Sequence, residues 1–183
     1  MADLVSSFVS ADEMLVNLVL GIDVLLDASY EGAAFDSQDH YDCRCFPGTR
    51  EQYITDITNW VTESVDRPSS MYWMWGPAGV GKSAIAQTCA EKLKETGHLG
   101  AAFFFTVNKH SNPSRLFTTI AYQLATMLPD YRASIDERIS KDKTLVKKKM
   151  ASQFKSLFVE PIKELGEQGK RVQPKAIFID GLA

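Results

Sequence analysis

With 183 residues, 45% of them hydrophobic and 23% charged, the chain can fill one hydrophobic core but not comfortably two domains. Seven prolines, eleven glycines and 10% aromatics are ordinary usage, which excludes a collagenous, low-complexity or wholly disordered polypeptide. The formal charge of −3 hides an asymmetry: residues 1–70 hold 13 acidic and 3 basic side chains, residues 71–183 hold 10 and 17, and such a basic half suits nucleic acid, an anionic membrane or a polyanionic small ligand alike.

Apolar residues at Leu4, Phe8, Ala11, Leu15, Leu18, Ile22 and Leu25 fall along one helical stripe, so residues 1–28 are expected to form an N-terminal amphipathic helix. Such a helix can dock on its own domain or bind a protein partner, and three heptads do not separate the two. Acidic residues flank the run from Leu15 to Ile22, no basic segment precedes it, and it is too short to span a bilayer. Neither a signal sequence nor a transmembrane segment is therefore expected. Three cysteines, Cys43, Cys45 and Cys89, make a disulfide framework improbable and favour a reducing, cytoplasmic location. His40, Cys43 and Cys45 have the form H-x-x-C-x-C, but without a second Cys/His pair they read as ordinary loop or buried residues. Residues 29–48 show no sustained period and read as a linker, ending in the turn signal Phe46-Pro47-Gly48. Thr49 and Gln52 have capping-box spacing, and a helix is expected from about Arg50 to Glu63.

Met71-Tyr72-Trp73-Met74-Trp75 has the form of a buried strand. Gly76-Pro77-Ala78-Gly79-Val80-Gly81-Lys82-Ser83 follows at once, with the G-x-x-x-x-G-K-[ST] spacing of a phosphate loop. Its glycines let successive N–H groups turn inward, and the next helix adds its positive N-terminus. In that role Lys82 reaches the β- and γ-phosphates and the Ser83 hydroxyl ligates Mg²⁺. The binding residues expected for ATP or ADP are Gly76, Pro77, Ala78, Gly79, Val80, Gly81, Lys82, Ser83 and Ala84.

Downstream, a helix over Ala84–Thr96 places Ile85, Cys89 and Leu93 on one face, which makes Cys89 core rather than nucleophile, and Gly97 closes it. Ala101–Val107 reads as a strand covered on both faces. Further helices are expected around Phe117–Leu128, stopped by Pro129, around Ile135 and Ile139, and around Phe154–Leu165 with a bend at Pro161. Lys141, Lys143, Lys147, Lys148 and Lys149 read as a solvated linker and helix face, since no aromatics interleave and arginine is absent there, so a nucleic-acid partner is not expected. Ala176-Ile177-Phe178-Ile179-Asp180 is an apolar strand ending in an acid, and after a phosphate loop Asp180 is the expected second holder of Mg²⁺.

These motifs resemble the fungal NACHT-type modules of the STAND class of signalling NTPases, the nephrocystin-3-like N-terminal domain group. The resemblance rests on Cys45-Phe46-Pro47-Gly48-Thr49-Arg50, similar to a C-L-P-G-T-R motif, on Trp75–Ala86, on Ala102–Phe105, on Leu116-Phe117 with Ala121–Leu124, and on Ile177–Asp180. It implies an α/β fold with a three-layer P-loop NTPase core over residues 49–183, and places Gly48 and Arg50 near the adenine side. It also marks departures. The family's D-A-L-D-E-C continues in acids that polarise the attacking water, whereas Gly181-Leu182-Ala183 follow Asp180 here, so the resemblance describes a C-terminally truncated module with an incomplete parallel sheet and no catalytic residue of its own. It implies an ATP/ADP-binding switch with little or no hydrolysis. The alternative is a non-catalytic interaction fragment working through the N-terminal helix; a small-molecule kinase would want an arginine-rich lid, which is absent.

Overall fold

A computed structural model describes residues 21–37, 44–63, 70–105, 112–170 and 175–181. Residues 21–28 are helical (α1). The other elements are α2 (Glu51–Thr62), α3 (Lys82–Glu95), β1 (Leu99–Phe104), α4 (Leu116–Met127), α5 (Pro129–Lys141), α6 (Met150–Phe154), a π-helical turn (Lys155–Val159), α7 (Glu160–Glu167) and β2 (Ala176–Asp180). The described residues are thus largely helical around a two-stranded parallel sheet.

The sheet organises the packing. All six β1 residues are buried, and alternate residues serve opposite faces. Ala101 and Phe103 join Leu116, Ile120 and Leu124 of α4, with Tyr131, Ile135, Leu157 and Leu165 behind them. Ala102 and Phe104 pack on Ala86 of α3. The continuous apolar run seen in the sequence is therefore the signature of a strand between two helical layers. On its outer edge β1 meets a side chain instead of a strand: the Ala102 N–H donates to Gln123 Oε1 and Gln123 Nε2 donates to the Ala102 carbonyl, both at 2.9 Å.

Local chemistry explains the breaks. Gly97 closes α3 in the left-handed conformation, φ +72°, while the N–H groups of Gly97 and His98 satisfy the carbonyls of Lys94 and Leu93. Pro129 opens α5 at a position where a missing N–H costs nothing. The bend expected at Pro161 takes the form of the π turn: proline has no N–H for the Leu157 carbonyl, and the buried Tyr131 hydroxyl donates to that carbonyl at 2.6 Å instead. Ile22 and Leu25 pack into the main core, so this end of the apolar stripe docks on its own domain. Thr118 and Arg115 donate to the carbonyls of Ala28 and Ser29, fixing the end of α1 to α4. Leu4, Phe8, Ala11, Leu15 and Leu18 lie outside the described residues. Among the described residues no helix is long and apolar enough to cross a membrane.

Two local expectations are corrected. The capping box does not form: the Thr49 hydroxyl donates to the Phe46 carbonyl, Gln52 donates to Asp56, and Arg50 precedes α2 in a left-handed conformation. Met71–Trp75 is neither a strand nor buried. The Tyr72 ring lies edge-on to Trp60 and Met74 packs on the cluster of Ile54, Ile57, Ile85 and Cys89, but Tyr72 is exposed along with Met71, Trp73 and Trp75. Among the described residues it is not part of the β1–β2 sheet, and an apolar run outside a sheet ladder is extended chain and not a strand.

Candidate phosphate-binding site

Gly79 and Gly81 carry φ of +80° and +94°, a region that side chains disfavour, so these two positions of the Gly76–Ser83 spacing need glycine for their backbone. Gly81 immediately precedes α3, whose first bond runs from the Ile85 N–H to the Gly81 carbonyl at 3.0 Å. The N–H groups of the preceding first-turn residues have no intrahelical acceptor and carry the positive end of the helix dipole. Lys82 bends back over the loop and donates to the carbonyls of Gly76 and Pro77, both at 2.8 Å. Ser83 is exposed at the same helix end.

Arg50 reaches the loop from the other side. Its Nη2 donates to the Val80 carbonyl at 3.2 Å, and a side chain at position 81 would lie 3.9 Å from its Nε. The segment leading to it runs along α3: the Cys45 N–H donates to Thr88 Oγ1 at 3.1 Å, and Arg44 Nε pairs with Glu91 at 2.9 Å. The sequence gives no signal for Thr88 and Glu91 as partners of this segment, because both read as ordinary polar positions on a helix.

Asp180 ends β2, and its carbonyl accepts the Phe105 N–H at 3.1 Å. Its place relative to the loop follows from the run of α3 across the sheet. Leu93, near the end of α3, packs with Leu99 and Ala176 at the start of both strands, and Ala86, near its beginning, packs with Ala102 and Phe104. The start of α3 and the end of β2 therefore share the carboxyl edge of the sheet, although no hydrogen bond joins Ser83 to Asp180 among the described residues. A hydroxyl and a carboxylate are hard oxygen donors suited to Mg²⁺, and the glycine-shaped loop with its ammonium suits a phosphate ester.

Two other features have structural work. Cys89 is fully buried, and burial, with Cys45 nearby, pushes its thiol up to about 12, so it is core and not a nucleophile. Among the described residues no group of three His, Cys, Asp or Glu side chains could hold a metal; His40 and Cys43 lie outside them. At the far end of α3 a cleft of about 910 Å³ is lined by Tyr30, Phe35, Lys94, Leu99 and Tyr122. Its two lysines are engaged within the fold: Lys94 pairs with Asp36 and Lys175 donates to the Gly97 carbonyl.

No curated protein and no solved structure matches the chain. The family profile described as nephrocystin 3, N-terminal, matches residues 48–183, well over half of the chain, including Arg50, the Gly76–Ser83 loop and Asp180. The chain belongs to the nephrocystin 3 N-terminal family.

Proposed function

We propose that the chain is the ATP- or ADP-binding module of a NACHT-type, STAND-class signalling switch. The observation that supports this most directly is the Gly76–Ser83 loop: two left-handed glycines, an ammonium folded over the loop and an α-helix starting at Lys82. Such a loop presents main-chain N–H groups and positive potential to a polyphosphate. Ser83 and Asp180 would hold Mg²⁺, which when bound neutralises phosphate charge. Lys82 would exchange its two carbonyl partners for phosphate oxygens by rotating its own stem, with no backbone change required.

The alternative, an interaction fragment acting through the N-terminal helix, is disfavoured for the described part of that helix, because Ile22 and Leu25 already face their own core. Thermal melting with Mg-ATP and Mg-ADP tests the nucleotide reading. A ligand confined to the folded state stabilises it by about 2.7 kcal/mol at a hundredfold excess over Kd. That shift is expected for the native chain and is expected to vanish in Lys82→Ala. A melting curve unmoved by millimolar Mg-ATP in soluble, folded protein would refute it.

A further inference from the structure

Arg50 is the one described residue other than glycine with a positive φ, at +61°. Backbone of this kind is held only where its surroundings fix it, and Arg50 is fixed on two sides. Its carbonyl accepts the Ile54 N–H at 3.1 Å as α2 begins, and its guanidinium holds the Val80 carbonyl. The segment from Arg44 to Arg50 thus forms a strap that touches α3 and its leading loop at three heights, Glu91, Thr88 and Val80. Only the last of these contacts is made to the loop itself. There the partner of a full positive charge is a neutral main-chain carbonyl, a far weaker acceptor than a phosphate oxygen. Two cations, Lys82 and Arg50, are therefore parked on carbonyls around a loop shaped for anions.

From this we infer that Arg50 is a phosphate-binding residue whose release from Val80 reports occupancy of the loop to the strap. The inference rests on the nucleotide-binding reading above and adds a regulatory role to the same site. A polyphosphate in the loop draws the guanidinium off the Val80 carbonyl, and the strap loses that hydrogen bond to the loop. Its other two anchors, at Thr88 and Glu91, and the apolar seam of Ile54, Ile57, Ile85 and Cys89 between α2 and α3 do not involve the loop, so the change is confined to residues 45–50 and the first turn of α2. Because the contact is to phosphate, the base is not required.

Hydrogen exchange of peptides covering residues 44–55, measured alongside calorimetric binding, tests this on the full chain with Mg-ADP and with Mg-tripolyphosphate. The expected result is binding of both, with a several-fold change in exchange at residues 45–50 caused by both. In Arg50→Gln, affinity is expected to fall on the order of tenfold, and exchange in the strap is expected to be the same with and without ligand. Arg50→Lys keeps the charge without the planar fork and is expected to fall between. Binding without any change in the strap would overturn the inference and leave the nucleotide reading standing. A change with Mg-ADP but none with tripolyphosphate would overturn it in favour of base recognition by Arg50. A ligand-induced change of undiminished size in Arg50→Gln would also overturn it, and absence of all binding would overturn both readings.

Discussion

The two faces of the β1–β2 sheet are covered to different depths. Behind β1 on the α4 side, Phe103, Ile120, Tyr131, Ile135 and Leu157 are almost wholly excluded from solvent, and α1, α4, α5, the π turn and α7 all contribute to one continuous cluster. On the side of α2 and α3 the apolar contacts divide into three smaller clusters bridged by Phe178, and the flanking Met71–Trp75 segment leaves Trp73 and Trp75 at 65% and 84% exposure. Similar residue types thus have different energetic weight. Side chains in the first region are held by neighbours on every side, whereas in the second Cys89 and Leu93 are as deeply buried but Trp73 and Trp75 stand in solvent, and that is also where the glycine loop and its two parked cations lie.

The sharpest way to break this comparison is a pair of truncations. Phe103→Ala is expected to cost roughly 3 to 5 kcal/mol, because it empties a fully buried site. Trp73→Ala, a larger deletion at an exposed site, is expected to cost no more than about 0.5 kcal/mol. Urea denaturation of the two variants checks this, and equal losses would mean that the Met71–Trp75 segment is packed in solution. Next in size, Tyr131→Phe removes the buried hydroxyl that donates to the Leu157 carbonyl and is expected to cost about 1 to 3 kcal/mol. Pro161→Ala restores an N–H on the same helix, so it should recover part of that loss in Tyr131→Phe while changing the native chain little. Additive effects in this double-mutant cycle would disconnect the tyrosine from the π turn.

A smaller effect is expected at Asp136, whose buried carboxylate has Arg132 Nε at 3.6 Å. Burial raises its pKa above the usual carboxylate value, against the opposing pull of Arg132. The folded state therefore holds this proton more tightly than the unfolded chain. The linked stability is fully present below the ordinary carboxylate range and is lost as pH rises through the raised folded value. Asp136→Asn is expected to flatten that slope and to leave stability at pH 7 unchanged or up to about 1 kcal/mol higher. Denaturation curves across pH 4 to 7 check it, and a clear loss at pH 7 would show the carboxylate to be favourably paired. The last expectation involves no change in stability: a maleimide should label half-buried Cys45 in the native protein and reach Cys89 only after unfolding, as mass mapping of the labelled peptides would show.

Helical spacing announced α2, α3, α4 and α5, and the run from Ala101 announced β1, because burial against a single core imposes those periods on the sequence itself. The Gly97 stop was legible for a similar local reason, the need for a left-handed residue. The capping box misled because Thr49 has a nearer acceptor in the Phe46 carbonyl, a competition that spacing does not encode. Met71–Trp75 misled because a strand is a relation between segments, and its sequence describes only one of them. At the site, the glycines and Lys82 could be read directly from their spacing, whereas the grip of Arg50 on Val80 joins positions 30 residues apart and becomes visible only in three dimensions.

The amide of Gln123 gives the sheet a direction of growth. A single side chain returns to Ala102 both of the hydrogen bonds that a neighbouring strand would have offered, so it acts as a one-residue counterfeit strand. Lateral extension is blocked at that point of β1, and the open margin is that of β2, where Ile177 and Ile179 stand partly exposed. A further strand, whether supplied in cis or in trans, would meet free main-chain groups more readily beside β2 than beside β1 at Ala102, and so next to the strand that Asp180 ends.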